Sequence, residues 1–164
     1  MDQWEADTGR WAFETARDLA LSVHRGDQLD VRPYALGVVL GPQETAWVEC
    51  PALLNVGSAP RTAGGKPGQL YCSPWLVTSE RIIGRLADDR LYGYRWDSVV
   101  GCRLNLTEAS SWLCLDLDGA PLLTWSGPGV APMALAAVYR LYGARGLLEH
   151  RGLTSLRTAE YYLS

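Results

Sequence analysis

Lysine is almost absent from this sequence: Lys66 stands alone against fourteen arginines in 164 residues. A bias of that size, spread over the whole chain, points to a GC-rich genome of the actinobacterial kind, because arginine's paired donors serve recognition at a few sites and not at all of them. Histidine is scarce too, with only His24 and His150. Neither sits in a motif with a nucleophile, so both read as structural residues at helix or turn ends. Cys50, Cys72, Cys102 and Cys114 include no C-x-x-C pair and have no clustered histidines, which argues against a zinc site and predicts reduced thiols in a cytoplasmic protein. The N-terminus lacks a charged segment followed by an apolar one, and no apolar run is long enough to span a bilayer.

What the chain does have is material for one core. Hydrophobic residues make up 48% of it, with seven Trp and eight Tyr, and a chain of this length buries one core better than two. The net charge of -3 is uneven. Seven acidic residues face four arginines over residues 1–33, while the remainder balances eleven against eleven. No global field therefore draws the protein to nucleic acid, and none is expected as a partner.

Asp7 to His24 carries Trp11, Ala12, Ala16, Leu19, Ala20 and Val23 at helical spacing, with Asp7 or Thr8 placed to cap the start and Gly26 to stop it. Leu36 to Leu40 is a short apolar run closed by Gly41-Pro42. Thr45 to Leu54 reads as a first strand in which Pro51 marks a bulge or an edge. Residues 55–69 are rich in glycine and proline and read as a long mobile loop. Its Gly64-Gly65-Lys66 is not a phosphate loop, because position 60 is proline and Pro67 follows the lysine.

From Leu70 the pattern becomes that of short strands. Leu70 to Val77 and Arg81 to Leu86 flank the polar Thr78-Ser79-Glu80-Arg81 and predict a tight antiparallel hairpin. Four further strands are expected over 91–96, 98–106, 112–117 and 121–126, and no helical crossover separates them. In the Trp112 strand, Leu113, Leu115 and Leu117 form the core face. Asp116 and Asp118 beside Gly119 read as turn chemistry, not as an acid–base pair. After Gly127-Pro128-Gly129, residues 131–142 are apolar on nearly every side and predict a buried helix ended by Gly143. A short turn over 145–150 and the apolar stretch 153–156 follow it.

The fold class expected is thus α+β, mainly β: about seven antiparallel strands in a barrel or sandwich, closed by a C-terminal helix and preceded by an extra helix. The expected division is an N-terminal helical extension over 1–33, a strand-rich domain over 34–157 and a loose tail over 158–164.

The stretch Trp75-Leu-Val-Thr-Ser-Glu-Arg-Ile-Ile-Gly-Arg85 resembles the hairpin of bacterial pleckstrin-homology-like (PH-like) and GRAM-like domains, and Tyr94-Arg-Trp-Asp-Ser-Val-Val-Gly101 looks like their later segment. The resemblance covers about Thr45 to Leu156. It implies a non-catalytic binding module that docks a protein or peptide through an exposed strand edge or the groove beside the last helix. A GRAM-like lipid or membrane-surface role is the alternative, and a small-molecule barrel or an enzyme ranks below both. Phosphoinositide-binding relatives cluster cations in the loop after the first strand, where this chain has only Arg61 and Lys66. Candidate binding residues are Arg61, Lys66, Arg81, Arg85, Tyr92, Tyr94 and Arg95. Arg81, Arg85, Arg90, Arg95 and Arg103 interleave with Tyr92, Tyr94 and Trp96, a composition that suits stacking on single-stranded nucleic acid or reading an anionic ligand, but Glu80, Asp88, Asp89 and Asp97 lie among them, so a salt-bridged surface is the plainer reading. No cofactor or metal is expected, and an open strand edge would also allow a homodimer.

Overall fold

The computed structural model describes residues 3–29, 32–57, 69–86, 88–107 and 109–157. Seven antiparallel strands form one open sheet: β1 (Ala46–Val56), β2 (Gln69–Thr78), β3 (Arg81–Leu86), β4 (Leu91–Arg95), β5 (Val99–Asn105), β6 (Trp112–Leu117) and β7 (Leu123–Ser126). Among the described residues, three helices accompany them: α1 (Gln3–His24), α2 (Val130–Glu149) and the short α3 (Thr154–Arg157). The expected α+β, mainly β class is what the structure shows.

The strand order is β4-β3-β2-β1-β7-β6-β5. Its two end strands are consecutive in the chain and joined only by the 3-10 turn Trp96–Ser98, so the sheet must curl until its ends approach at that corner. The curl encloses one apolar cluster. Leu54, Trp75, Val77, Ile82, Leu104, Leu113, Leu115 and Trp125 line it from the strands, with Trp75 edge-on to Trp125 at 5.5 Å between ring centres. Gly84 is what lets the Trp75 ring lie there, since a Cβ would stand 2.6 Å from the ring. The indole N–H groups of Trp75 and Trp96 donate to the carbonyls of Ala52 and Thr78, which removes the main cost of burying them.

α2 closes the open side. Residues 130–138 are all buried, so the first half of this helix is apolar around its whole circumference for a structural reason. It breaks at Gly143, whose φ of 68° is a left-handed conformation that glycine adopts without strain, where the sequence predicts an end.

α1 packs on α2 through Gly9, Ala12, Phe13, Ala16, Leu19, Ala20 and Val23, and joins the same core. Two expectations for it change. The helix begins at Gln3, and Asp7 accepts a hydrogen bond from the Gln3 side chain instead of capping the start. Trp11, expected in the core, is 51% exposed. The buried face is set by small residues that permit close helix approach, and Phe13 takes the place expected of Trp11.

Pro51 lies where the β1–β2 register shifts, between Cys50 and Ala52, so it marks a bulge. The strand is not an edge: from Leu53 to Val56 it pairs with β7 as well as β2. The division between a domain and a helical extension is thus bridged by one continuous core. Residues 58–68 of the expected mobile loop, and the tail over 158–164, lie outside the described residues.

Candidate functional site

The β2–β3 hairpin turns through Ser79-Glu80, and Thr78 explains why. Its hydroxyl oxygen accepts from the N–H groups of Glu80 (3.1 Å) and Arg81 (3.0 Å), and its O–H donates to Glu44 at 2.6 Å. Arg81 grips the same carboxylate with two nitrogens, at 2.8 and 3.1 Å, while the Gly41 N–H supplies a further bond. Burial pushes the Glu44 carboxyl up, but the bonds from Arg81, Thr78 and Gly41 outweigh it and hold it at about 2. Glu49 accepts from the N–H groups of Ala35 and Leu36. These two glutamates fasten the segment preceding β1 across the outer face of the sheet, where Leu36 covers Ala46, Leu76 and Ile83 in a second apolar cluster with Tyr34, Val38 and Leu40. The hairpin motif is legible in sequence; its distant partner Glu44, and the hold of Glu49 on Ala35 and Leu36, are not, because only folding brings them together.

Period two then divides the candidate residues. Arg81 pairs with Arg95, Ile82 with Tyr94 and Gly84 with Tyr92. Tyr92 and Tyr94 share the inner face, half-buried against the core, and Tyr94 is edge-on to Trp125 at 6.0 Å. Arg81, Arg85 and Arg95 share the outer face. Arg85 reaches Asp89 and the carbonyl of Leu36; Arg95 reaches Glu80 and Asp97. The arginines and tyrosines that interleave in sequence therefore lie on opposite faces and do not form one stacking surface. Arg61 and Lys66 lie outside the described residues.

An open hollow of about 590 Å³ lies beside the outer arginines, lined by Pro42, Gln43, Glu44, Glu80, Arg81 and Arg95. Its charged walls are already paired with one another.

The two edges of the sheet differ. Along β5 the chain covers its own edge. The imidazole of His150 hydrogen-bonds the backbone of Cys102 and accepts from the Gly152 N–H at 3.1 Å. Gly152 lies against Leu104 so closely that a Cβ would stand 2.5 Å from its carbonyl oxygen, and Ser155 donates to the carbonyl of Leu106. Residues 102, 104 and 106 are the positions that turn outward from the ladder, and each meets this segment.

β4 is capped only at its end, where the Ser98 hydroxyl donates to the Arg95 carbonyl at 2.7 Å; along Leu91 and Gly93 it has no such cover among the described residues. The Trp96 N–H donates to the Glu80 carbonyl at 3.2 Å, which makes Glu80 and Trp96 a hydrogen-bonded pair. Counting along the register, Ile82–Tyr94 and Gly84–Tyr92 are hydrogen-bonded too, and the N–H and C=O groups of Leu91, Gly93 and Arg95 point away from β3. Leu91 is exposed, and so are Gly93 and Arg95. Of the two docking places expected, the flank of the last helix next to β5 is taken up by residues 150–155, while a hollow of about 250 Å³ remains between α1 and the end of α2, lined by Val23, His24, Arg145 and Leu148; the exposed strand edge is β4.

Nucleophilic chemistry is subdued in the described parts. Burial pushes the thiols of Cys50 and Cys102 up to about 12, which keeps them protonated. Burial lowers the pKa of His150, and Arg157 lowers it further against the pull of the Cys102 backbone. Among the described residues, no group of His, Cys, Asp or Glu is arranged to hold a metal ion, and no helix is long and apolar enough to cross a membrane.

No protein-family model matches the chain, and no curated protein matches it.

Proposed function

We propose that this protein is a non-catalytic, cytoplasmic PH-like interaction module that binds an extended segment of a protein partner by strand addition to β4. The observation that carries the reading is the asymmetry of the edges: Leu91 and Gly93 of β4 turn backbone groups outward that meet no hydrogen-bond partner among the described residues, while the outward positions of β5 are met by residues 150–155. Unpaired edge groups are a ready template for another strand. The strand order, with the terminal strands meeting at a corner and an apolar helix closing the curl, supports the PH-like plan. Protonated thiols and an imidazole committed to backbone partners support a role without catalysis. The outer arginines are paired with carboxylates, which favours a peptide over an anionic lipid surface.

Gly93→Pro tests it. The Gly93 N–H faces away from β3, so proline removes an edge donor and blocks the incoming strand without breaking the β3–β4 ladder. Peptides selected from a random heptapeptide library against the native protein should lose binding to this variant and should protect the amides of Leu91, Gly93 and Arg95 from hydrogen exchange. Undiminished binding to a folded Gly93→Pro protein would sink strand addition at β4. Liposome co-sedimentation that rises with anionic lipid and falls with salt would favour the membrane role instead.

A further inference from the structure

Gly93 sits at the centre of β4 with its missing side chain on the outer face. A Cβ built there meets nothing nearer than the Ile82 carbonyl, at 3.9 Å. The position is therefore not glycine for want of room, in contrast to Gly84, where a Cβ would strike the Trp75 ring. On the same face, two residues to either side, stand Leu91, 47% exposed, and Arg95, whose stem borders the hollow lined by Pro42 and Gln43. The outer face of the edge strand thus has a bare backbone step between an exposed aliphatic side chain and a long amphipathic one.

We infer that the segment bound at β4 places an aromatic side chain opposite Gly93, with its ring laid over the glycine backbone between Leu91 and Arg95. The inference rests on strand addition at β4 and names what the added strand must carry. Because Gly93 turns both backbone groups outward, the residue opposite it in an antiparallel strand exchanges two hydrogen bonds with it, and its side chain emerges on the outer face. That side chain has Leu91 and Arg95 as diagonal neighbours, within reach of a large ring. An aromatic residue covers the exposed glycine backbone, gains apolar area against Leu91 and meets the Arg95 guanidinium or its stem. A small residue leaves the step open to water. An acidic one would compete with Glu80 and Asp97 for Arg95, at 3.4 and 3.3 Å, and gains little there.

The test uses the full chain, a random heptapeptide library and synthetic versions of the enriched peptide. Enriched sequences should share one Phe, Tyr or Trp, and replacing it by Ala should weaken binding about tenfold. Gly93→Ala, which the space accommodates, should keep backbone binding but reduce the preference for the aromatic over the Ala peptide to about threefold or less. Gly93→Pro should abolish binding of both. If Gly93→Pro abolishes binding while aromatic and Ala peptides bind equally, the aromatic inference fails and strand addition stands. If Gly93→Pro leaves binding intact, or if no peptide is enriched, strand addition at β4 fails and takes the inference with it. Self-association in sedimentation that disappears in Gly93→Pro would also overturn it, identifying the occupant of the edge as a second copy of this chain.

Discussion

The last strands at the two ends of the sheet face the same physical problem and meet it differently. β5 is sealed by a turn of its own chain, whose imidazole, glycine and hydroxyl meet successive outward positions of the strand. β4 has no such seal along Leu91 and Gly93 among the described residues, yet both its faces are held: Tyr92 and Tyr94 against the core, Arg95 in ion pairs outside. An edge that is closed serves stability, and one that is held but unpaired is free to serve binding.

The strongest way to break this contrast is at Gly152. An alanine there puts its Cβ against the Leu104 carbonyl and side chain, where the nearest atom is backbone and cannot swing aside. Gly152→Ala should lower the unfolding free energy by about 3 kcal/mol in urea titration; a loss under about 0.5 kcal/mol would show that the sealing segment yields easily. Glu44→Gln comes next. It keeps room for bonds to Thr78 and Gly41 but removes the charge that Arg81 grips, and should cost roughly 2 kcal/mol. The pH dependence has a definite sign. The carboxyl is held at about 2 against an ordinary 4.5, so its contribution is whole above 4.5 and is lost as pH falls toward 2. The variant's stability should be flatter across that window.

His150 separates the edges by pH. Burial lowers its pKa from an ordinary 6.5, so the unfolded chain takes up the proton first, and the contribution of this residue, whole above 6.5, is lost as pH falls below it. A protonated imidazole also cannot accept from the Gly152 N–H. Amides of residues 152–155 should exchange faster relative to those of the β2–β3 hairpin as pH drops below 6.5, after correction for intrinsic rates. An unchanged ratio would remove His150 from the seal. The smallest effect belongs to Gly93→Ala, where space is open: stability should stay within about 0.5 kcal/mol or rise slightly. The contrast with Gly152→Ala then measures how differently the two edges are built.

Much of this architecture can be read from residue order. The hairpin around Thr78 and Arg81, the leucine face of β6, the break at Gly143 and the apolar helix before it follow from period and turn chemistry, which act over a few residues. The buried face of α1 departs from its hydrophobic pattern at Trp11, which is exposed because the approach of α2 selects the smaller side chains. The candidate site was less legible. Interleaved arginines and tyrosines look like one surface until strand pairing assigns them to opposite faces, and Leu36 to Leu40 gives no sign that it roofs the outer sheet.

Sequence alone determined the kinds of element, their order and the apolar faces of the strands, because those depend on local propensity and periodicity. Tertiary structure decided which acids Arg81 and the covering segment would find, that Gly152 would press against Leu104, and hence which edge would be closed. Those outcomes depend on side chains tens of residues apart meeting at hydrogen-bonding distance, and local spacing carries no record of that.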